Sequence, residues 1–117
     1  MKRMNSTNNQ LLANAADTIL ESAKILQKGP AMGKEAMDNF TRFSASIHSF
    51  QVYTFMDPAY ENLVALSDFK EAVFKYEAHY VKLRNTIDEK MDQKAAKADF
   101  EELEKSLVTL KNALNVG

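Results

Sequence analysis

Apolar side chains recur every three or four residues along most of the chain, the spacing that places them on one face of an α-helix. The first such set is Leu12, Ala16, Ile19, Ala23 and Leu26. It predicts a helix from about Asn9 to Lys28, which Gly29 and Pro30 end. Residues 1–9 are mostly polar and offer little to bury, so we expect them to form a flexible N-terminal tail.

The second predicted helix runs from about Gly33 to Asp57, because the residue before Pro58 is pushed out of the helical region. Its apolar face consists of Ala36, Phe40, Phe43, Ile47 and Phe50. Segment 51–55 is rich in β-branched and aromatic residues, so a locally extended stretch is the alternative there. Residues 58–66 predict a short helical connection.

The third helix is predicted to start at Asp68, because Glu71 three residues later completes a capping box. Its apolar positions are Phe69, Val73, Tyr76, Tyr80, Leu83, Ile87 and Met91. Asp99 and Glu102 repeat the capping arrangement ahead of a fourth helix. The apolar positions of that helix are Phe100, Leu103, Leu107, Leu110 and Leu114. The link 92–98 contains only helix-forming residues, so one long bent helix is the alternative to two.

Four amphipathic helices joined by short links predict an all-α fold, an antiparallel four-helix bundle. At 117 residues the chain has the length of one domain, which we expect to span residues 10–117. A domain of this size buries roughly two-thirds of the surface that its unfolded chain exposes. The chain contains no cysteine, so disulfides and thiolate metal sites are excluded.

The charges are nearly balanced, with 15 basic and 16 acidic residues and a formal net charge of −1. Such a balance provides no long-range attraction for phosphates or anionic lipids, and it disfavours nucleic acid as a partner. No segment approaches the roughly 18 apolar residues that a membrane span needs, and no signal-like apolar run follows the N-terminus. We therefore expect a cytoplasmic protein that makes no membrane contact.

The candidates for metal or cofactor binding lack the required spacing. Neither His48 nor His79 has a carboxylate three or four residues away, so no local Glu-x-x-His pair is present. Segment 29–34 has three residues between its glycines rather than the four of a phosphate-binding loop, and Glu35 follows its lysine. We expect no metal and no cofactor, unless residues from different helices come together.

One segment suggests an enzymatic alternative. Arg42-Phe-Ser-Ala-Ser-Ile-His48 resembles the spaced Arg…His motif of HEPN-type ribonucleases, which are also small helical bundles. The resemblance covers seven residues, and Phe43 stands where that family usually has a polar residue. It implies that Arg42 would hold the scissile phosphate and that His48 would act on the 2′-hydroxyl, across a dimer interface.

The aromatic residues exceed what the predicted core needs. Ten of them lie between residues 40 and 80, and Tyr53 and Phe55 fall outside the apolar face of the second helix. Phe74, Ala78 and Val81 form a second apolar face on the third helix. A helix that is apolar on two sides is either central in its bundle or has a partner.

These side chains favour a non-enzymatic function. We expect a protein–protein interaction module (a subunit, adaptor or inhibitor) that binds another protein or itself as a homodimer. The partner-binding residues are predicted to be Tyr53, Phe55, Phe74, Ala78 and Val81. Tyrosines suit such a surface because the hydroxyl tolerates a partly hydrated environment.

Overall fold

A computed structural model describes the backbone of residues 6–30, 33–85 and 93–116, and their side chains except those of residues 82–85 and 93. It contains four α-helices: α1 (Ser6–Lys28), α2 (Lys34–Thr54), α3 (Val64–Asn85) and α4 (Gln93–Ala113). A short 3-10 helix, Pro58–Asn62, connects α2 to α3. No β-strand occurs in these ranges. The all-α prediction is confirmed.

Successive helices run in opposite directions. Phe40 lies beside Tyr80 and Phe50 beside Phe69, so residues late in α2 meet residues early in α3. α1 packs most extensively on α2, and α3 on α4, whereas α2 and α3, although consecutive in the chain, touch much less. The bundle therefore consists of two helical hairpins.

The chain reverses direction between α3 and α4. The ring of Tyr76 lies 5.8 Å from that of Phe100, and His79 contacts Asp99. Such contacts require the two helices to lie side by side, so they are not one bent helix. The link predicted at residues 92–98 is misplaced, because residues 93–98 form the first turns of α4, and residue 92 lies outside the described residues.

The four predicted apolar faces fill the core. Buried members include Leu12, Ala16, Ile19, Ala23, Leu26, Ala36, Phe40, Phe43, Phe50, Phe69, Val73, Tyr76, Tyr80, Leu103, Leu107, Leu110 and Leu114. Ile47 and Phe100 are half-buried against this core. The side chains of Leu83, Ile87 and Met91 lie outside the described residues.

Two buried tyrosines bring polar atoms into the core. The Tyr76 hydroxyl lies 2.9 Å from Oε1 of Gln27, 3.0 Å from the Tyr80 hydroxyl and 3.1 Å from the carbonyl oxygen of Ala23. Burial, and then the hydrogen bond with Tyr80, raises the pKa of Tyr76 far above its usual value. Burial also raises the pKa of Tyr80. These hydroxyls tie α3 to α1 across the bundle.

α1 begins three residues earlier than the sequence pattern predicts. Asn9, expected to end a flexible tail, is buried within the helix. Its Nδ2 donates to the carbonyl oxygen of Leu114 at 3.1 Å, and its Oδ1 accepts from the Tyr60 hydroxyl at 2.6 Å. Asn9 is therefore packed against the rest of the bundle, and residues 1–5 lie outside the described residues.

The end of α2 is helical. The helix continues to Thr54, so the extended alternative for segment 51–55 is wrong. Asp57 then adopts an extended conformation, and its Oδ1 accepts from the backbone N–H of Ala59 at 2.9 Å. This side-chain cap and Pro58 start the 3-10 helix that the sequence predicts as a short connection.

Both capping-box predictions place the helix start too late. α3 begins at Val64, because the carbonyl oxygen of Leu63 accepts from the backbone N–H groups of Leu66 and Ser67. α4 begins at Gln93, and the helix-forming residues that follow it place Asp99 inside the helix. The carboxylate of Asp99 contacts a different helix instead of capping its own.

Candidate interaction surface

A groove runs between α2 and α3, the neighbouring helices that touch least. Its volume is about 310 Å³. The residues that line it are Ser44, Ile47, His48, Phe50 and Gln51 from α2, and Lys70, Val73, Phe74 and Glu77 from α3. We refer to it as the α2–α3 groove.

The floor of the α2–α3 groove is apolar. Phe50 and Val73 are buried there, and Ile47 is half-buried against the core. Phe50 is fixed by an edge-on contact with Phe69, at a ring-centroid distance of 5.3 Å. The floor is therefore a preformed apolar surface, which can receive an apolar side chain from a partner.

Phe74 lies on the rim of the groove with 70% of its surface exposed. The opposite side of α3 fills the core through Phe69, Val73, Tyr76 and Tyr80, so Phe74 adds nothing to the interior. An exposed phenyl ring beside an apolar groove is typical of a surface that contacts another molecule.

Two opposite charges flank Phe74. Lys70 lies one helical turn before it and Glu77 one turn after it, and both line the groove. Within the described part of the chain, neither side chain has an ion-pair partner. By contrast, Glu71 and Lys75 form an ion pair with each other within α3, with Oε1 of Glu71 3.9 Å from Nζ of Lys75. Lys70 and Glu77 are therefore available to a partner.

The structure groups only part of the predicted binding set. Phe74, Ala78 and Val81 are exposed along one face of α3. Tyr53 is half-buried and faces a different depression, between α1 and α2. Phe55 follows the end of α2 with 82% of its surface exposed and does not line the α2–α3 groove. The five residues thus occupy three separate places.

Further exposed apolar residues were not predicted. Val52, Met56 and Val64 lie near the connection from α2 to α3, close in sequence to Phe55. Val52 and Met56 fall outside the spacing of the α2 apolar face, which is the signal that could have identified them. Val108 is a large exposed apolar residue on α4.

Arg42 and His48 are both exposed on α2. Their separation of six residues corresponds to about 9 Å along the helix and about 120° around it. His48 lines the α2–α3 groove, whereas Arg42 does not. Within one chain the structure does not bring them to a common point where a phosphate would bind.

Among the described side chains, His79 and Asp99 form the closest polar contact between α3 and α4. Nε2 of His79 lies 2.6 Å from Oδ2 of Asp99, and their side chains are 21% and 30% exposed. Spacing along the chain could not reveal this partner, because it lies on another helix. Across the described ranges, no group of three or more metal-binding side chains comes together. The pair therefore links α3 to α4 by a hydrogen bond.

No helix in the described ranges is long and apolar enough to cross a bilayer. No protein-family model matches the chain, and no curated protein or solved structure is significantly similar to it. The surface of the molecule itself is therefore the basis for assigning a function.

Proposed function

We propose that the protein is a non-enzymatic interaction module, which binds another protein or a second copy of itself. The binding surface is the α2–α3 groove together with the exposed face of α3 formed by Phe74, Ala78 and Val81. The observation that carries the proposal is Phe74, which is 70% exposed beside the apolar floor of the groove.

The energetics support this assignment. Burying a phenylalanine side chain contributes about 1.5–3 kcal/mol, which the isolated chain does not gain at Phe74. A partner that covers this ring gains that contribution on binding. Since the floor of the groove is already formed by Phe50 and Val73, little reorganisation opposes the contact.

The shape of the groove favours a helical partner. Two antiparallel helices border it, and an amphipathic helix placed between them would contact the floor with residues spaced three, four and seven apart. His48, Gln51 and Ser44 supply a polar rim on the α2 side. A polar rim around an apolar centre is the usual organisation of a protein interface.

The proposed role is that of a subunit, adaptor or inhibitor. We also propose a reducing compartment such as the cytoplasm, with which a chain that lacks cysteine is compatible. No cofactor has a part in this function.

Capture from a native lysate tests the proposal with three tagged baits: the unaltered chain, Phe74→Ala and Val108→Ala. Val108 is the matched control, because it is an apolar residue with 59% exposure on another helix. We expect the unaltered chain and Val108→Ala to retain the same protein, whereas Phe74→Ala loses it. Equal retention by all three baits, or retention by none together with a strictly monomeric chain, would contradict the proposal.

A further inference from the structure

The charges around Phe74 form a pattern that is complementary to itself. Along the rim of the α2–α3 groove the order is Lys70, Phe74, Glu77: a cation, an aromatic ring and an anion. Read in the opposite direction, the same order becomes anion, ring, cation. A second copy of α3 lying antiparallel to the first therefore presents the opposite charge at each position.

Twofold symmetry satisfies both charges at once. In such an interface each residue i of one copy meets j of the other while j meets i. The midpoint between Lys70 and Glu77 lies between residues 73 and 74, and each charge is about 5 Å from it along the helix. An axis through this midpoint brings Lys70 of each copy to Glu77 of the other.

We infer that the occupant of the α2–α3 groove is a second copy of this chain, in a twofold-symmetric dimer with Phe74 beside the axis. This inference rests on the proposed function and names the partner. The two phenyl rings meet at the centre of the interface, and the groove floor of each copy covers the ring of the other. Two Lys70–Glu77 pairs border this apolar centre.

A partner of one charge would be a poorer fit. An acidic helix would attract Lys70 and repel Glu77, and a basic helix would do the reverse. Neither residue has an ion-pair partner within the described chain, so a second copy satisfies both without disrupting an existing pair.

Sedimentation velocity from about 1 μM to about 1 mM measures the dimer directly. We expect the unaltered chain and Val108→Ala to dimerise with the same dissociation constant. Phe74→Ala should raise that constant about tenfold or more, because truncating a central aromatic side chain removes a dominant contact. Circular dichroism should show unchanged helix content, since the Phe74 ring is exposed.

Charge reversal tests the symmetry itself. Lys70→Glu and Glu77→Lys each turn two attractive contacts into two repulsive ones, so each variant alone should dimerise about tenfold more weakly or worse. Mixing the two variants restores both pairs in the mixed dimer. The double variant Lys70→Glu/Glu77→Lys restores both pairs in a dimer of identical chains. Both should recover the dimer to within about threefold of the unaltered chain.

A chain that stays monomeric up to about 1 mM would overturn the inference. So would a dimer that neither Phe74→Ala nor charge reversal weakens, or a mixture of the two charge variants that fails to recover it. The proposed function is decided separately: Phe74-dependent capture of a different protein by a monomeric chain would support it while the dimer fails.

Discussion

Nε2 of His79 lies 2.6 Å from Oδ2 of Asp99, and this contact joins α3 to α4. We expect His79→Ala to lower the free energy of unfolding by about 1 kcal/mol, because a hydrogen bond to a carboxylate is lost at a partly exposed site. Urea denaturation measures the change. His48→Ala, an exposed histidine without such a partner, is the control and should change it by less than about 0.5 kcal/mol.

Asp99→Asn completes a double-mutant cycle with His79→Ala. If the two side chains interact, the combined loss should be smaller than the sum of the single losses by about 0.5–1 kcal/mol. Strictly additive losses would show that the contact contributes nothing to stability.

Leu107 and Val108 are neighbours on α4 that face opposite environments. Leu107 is buried, so Leu107→Ala should lower the free energy of unfolding by about 2–5 kcal/mol. Val108→Ala should change it by less than about 0.5 kcal/mol. Tyr80→Ala, also at a fully buried position, should cost about as much as Leu107→Ala. Thermal or urea unfolding measures the free energies of unfolding of these variants. Similar losses for Leu107→Ala and Val108→Ala would show that the core face of α4 is misplaced.

Tyr76 should make the fold sensitive to alkali. Burial raises the pKa of its hydroxyl in the folded state, whereas the unfolded state keeps the usual value near 10. The folded state therefore holds its proton more tightly. The contribution of this hydroxyl to the free energy of unfolding is fully present below the pKa that tyrosine has in the unfolded state, and it declines as the pH rises above about 10. The decline is at most about 1.4 kcal/mol per pH unit for each such group.

Tyr76→Phe removes this group and is the matched variant. Its free energy of unfolding should be lower at neutral pH, by about 1 kcal/mol, because the hydrogen bonds of the hydroxyl are lost. Between about pH 10 and 11 its stability should then fall less steeply than that of the unaltered chain. Parallel pH profiles of the two proteins would be inconsistent with a buried, protonated Tyr76.

Asn9 should behave as a core residue. Asn9→Ala leaves the Tyr60 hydroxyl and the carbonyl oxygen of Leu114 without their partner, at a cost of about 1–3 kcal/mol. Asn14→Ala, on the exposed side of the same helix, should be neutral or slightly stabilising because alanine favours helices. Comparison of their melting temperatures checks this. A neutral Asn9→Ala would contradict the buried hydrogen bonds of Asn9 to Tyr60 and Leu114.

The ribonuclease alternative predicts RNA cleavage, whereas the proposed interaction module predicts none. Arg42 and His48 do not meet within one chain, and only His48 lines the groove at the proposed dimer interface, so we expect the purified chain to leave single-stranded and hairpin RNA intact. Gel analysis after incubation measures this. Cleavage that both Arg42→Ala and His48→Ala abolish would reverse the assignment in favour of an enzyme.

The apolar faces of the helices were predictable because their spacing is a local property of the chain. The buried positions of α1 follow from it directly. The starts of α3 and α4 were not predictable in this way, because the capping pattern at Asp68 and Asp99 is also compatible with a helix interior. Strong helix formers before Asp99 extend α4 toward its N-terminus, and the Leu63 carbonyl starts α3 earlier.

The missed polar contacts depend on distant partners. Asn9 is buried because Tyr60 and Leu114 meet it, 51 and 105 residues away in the chain. His79 and Asp99 meet only once the register of α3 against α4 is known. For the same reason the sequence could identify surplus aromatic residues but could not show that Tyr53 and Phe74 face different grooves.

The division into two hairpins has a kinetic consequence. Most packing joins helices that are neighbours in the chain, α1 with α2 and α3 with α4, and the two hairpins meet more along α1 and α4 than along α2 and α3. Proteins dominated by such local contacts fold within microseconds to milliseconds, because little loop entropy is lost before contacts form. Each hairpin can close before the two dock, and Asn9 bonds to Leu114 only after docking brings the distant ends of the chain together.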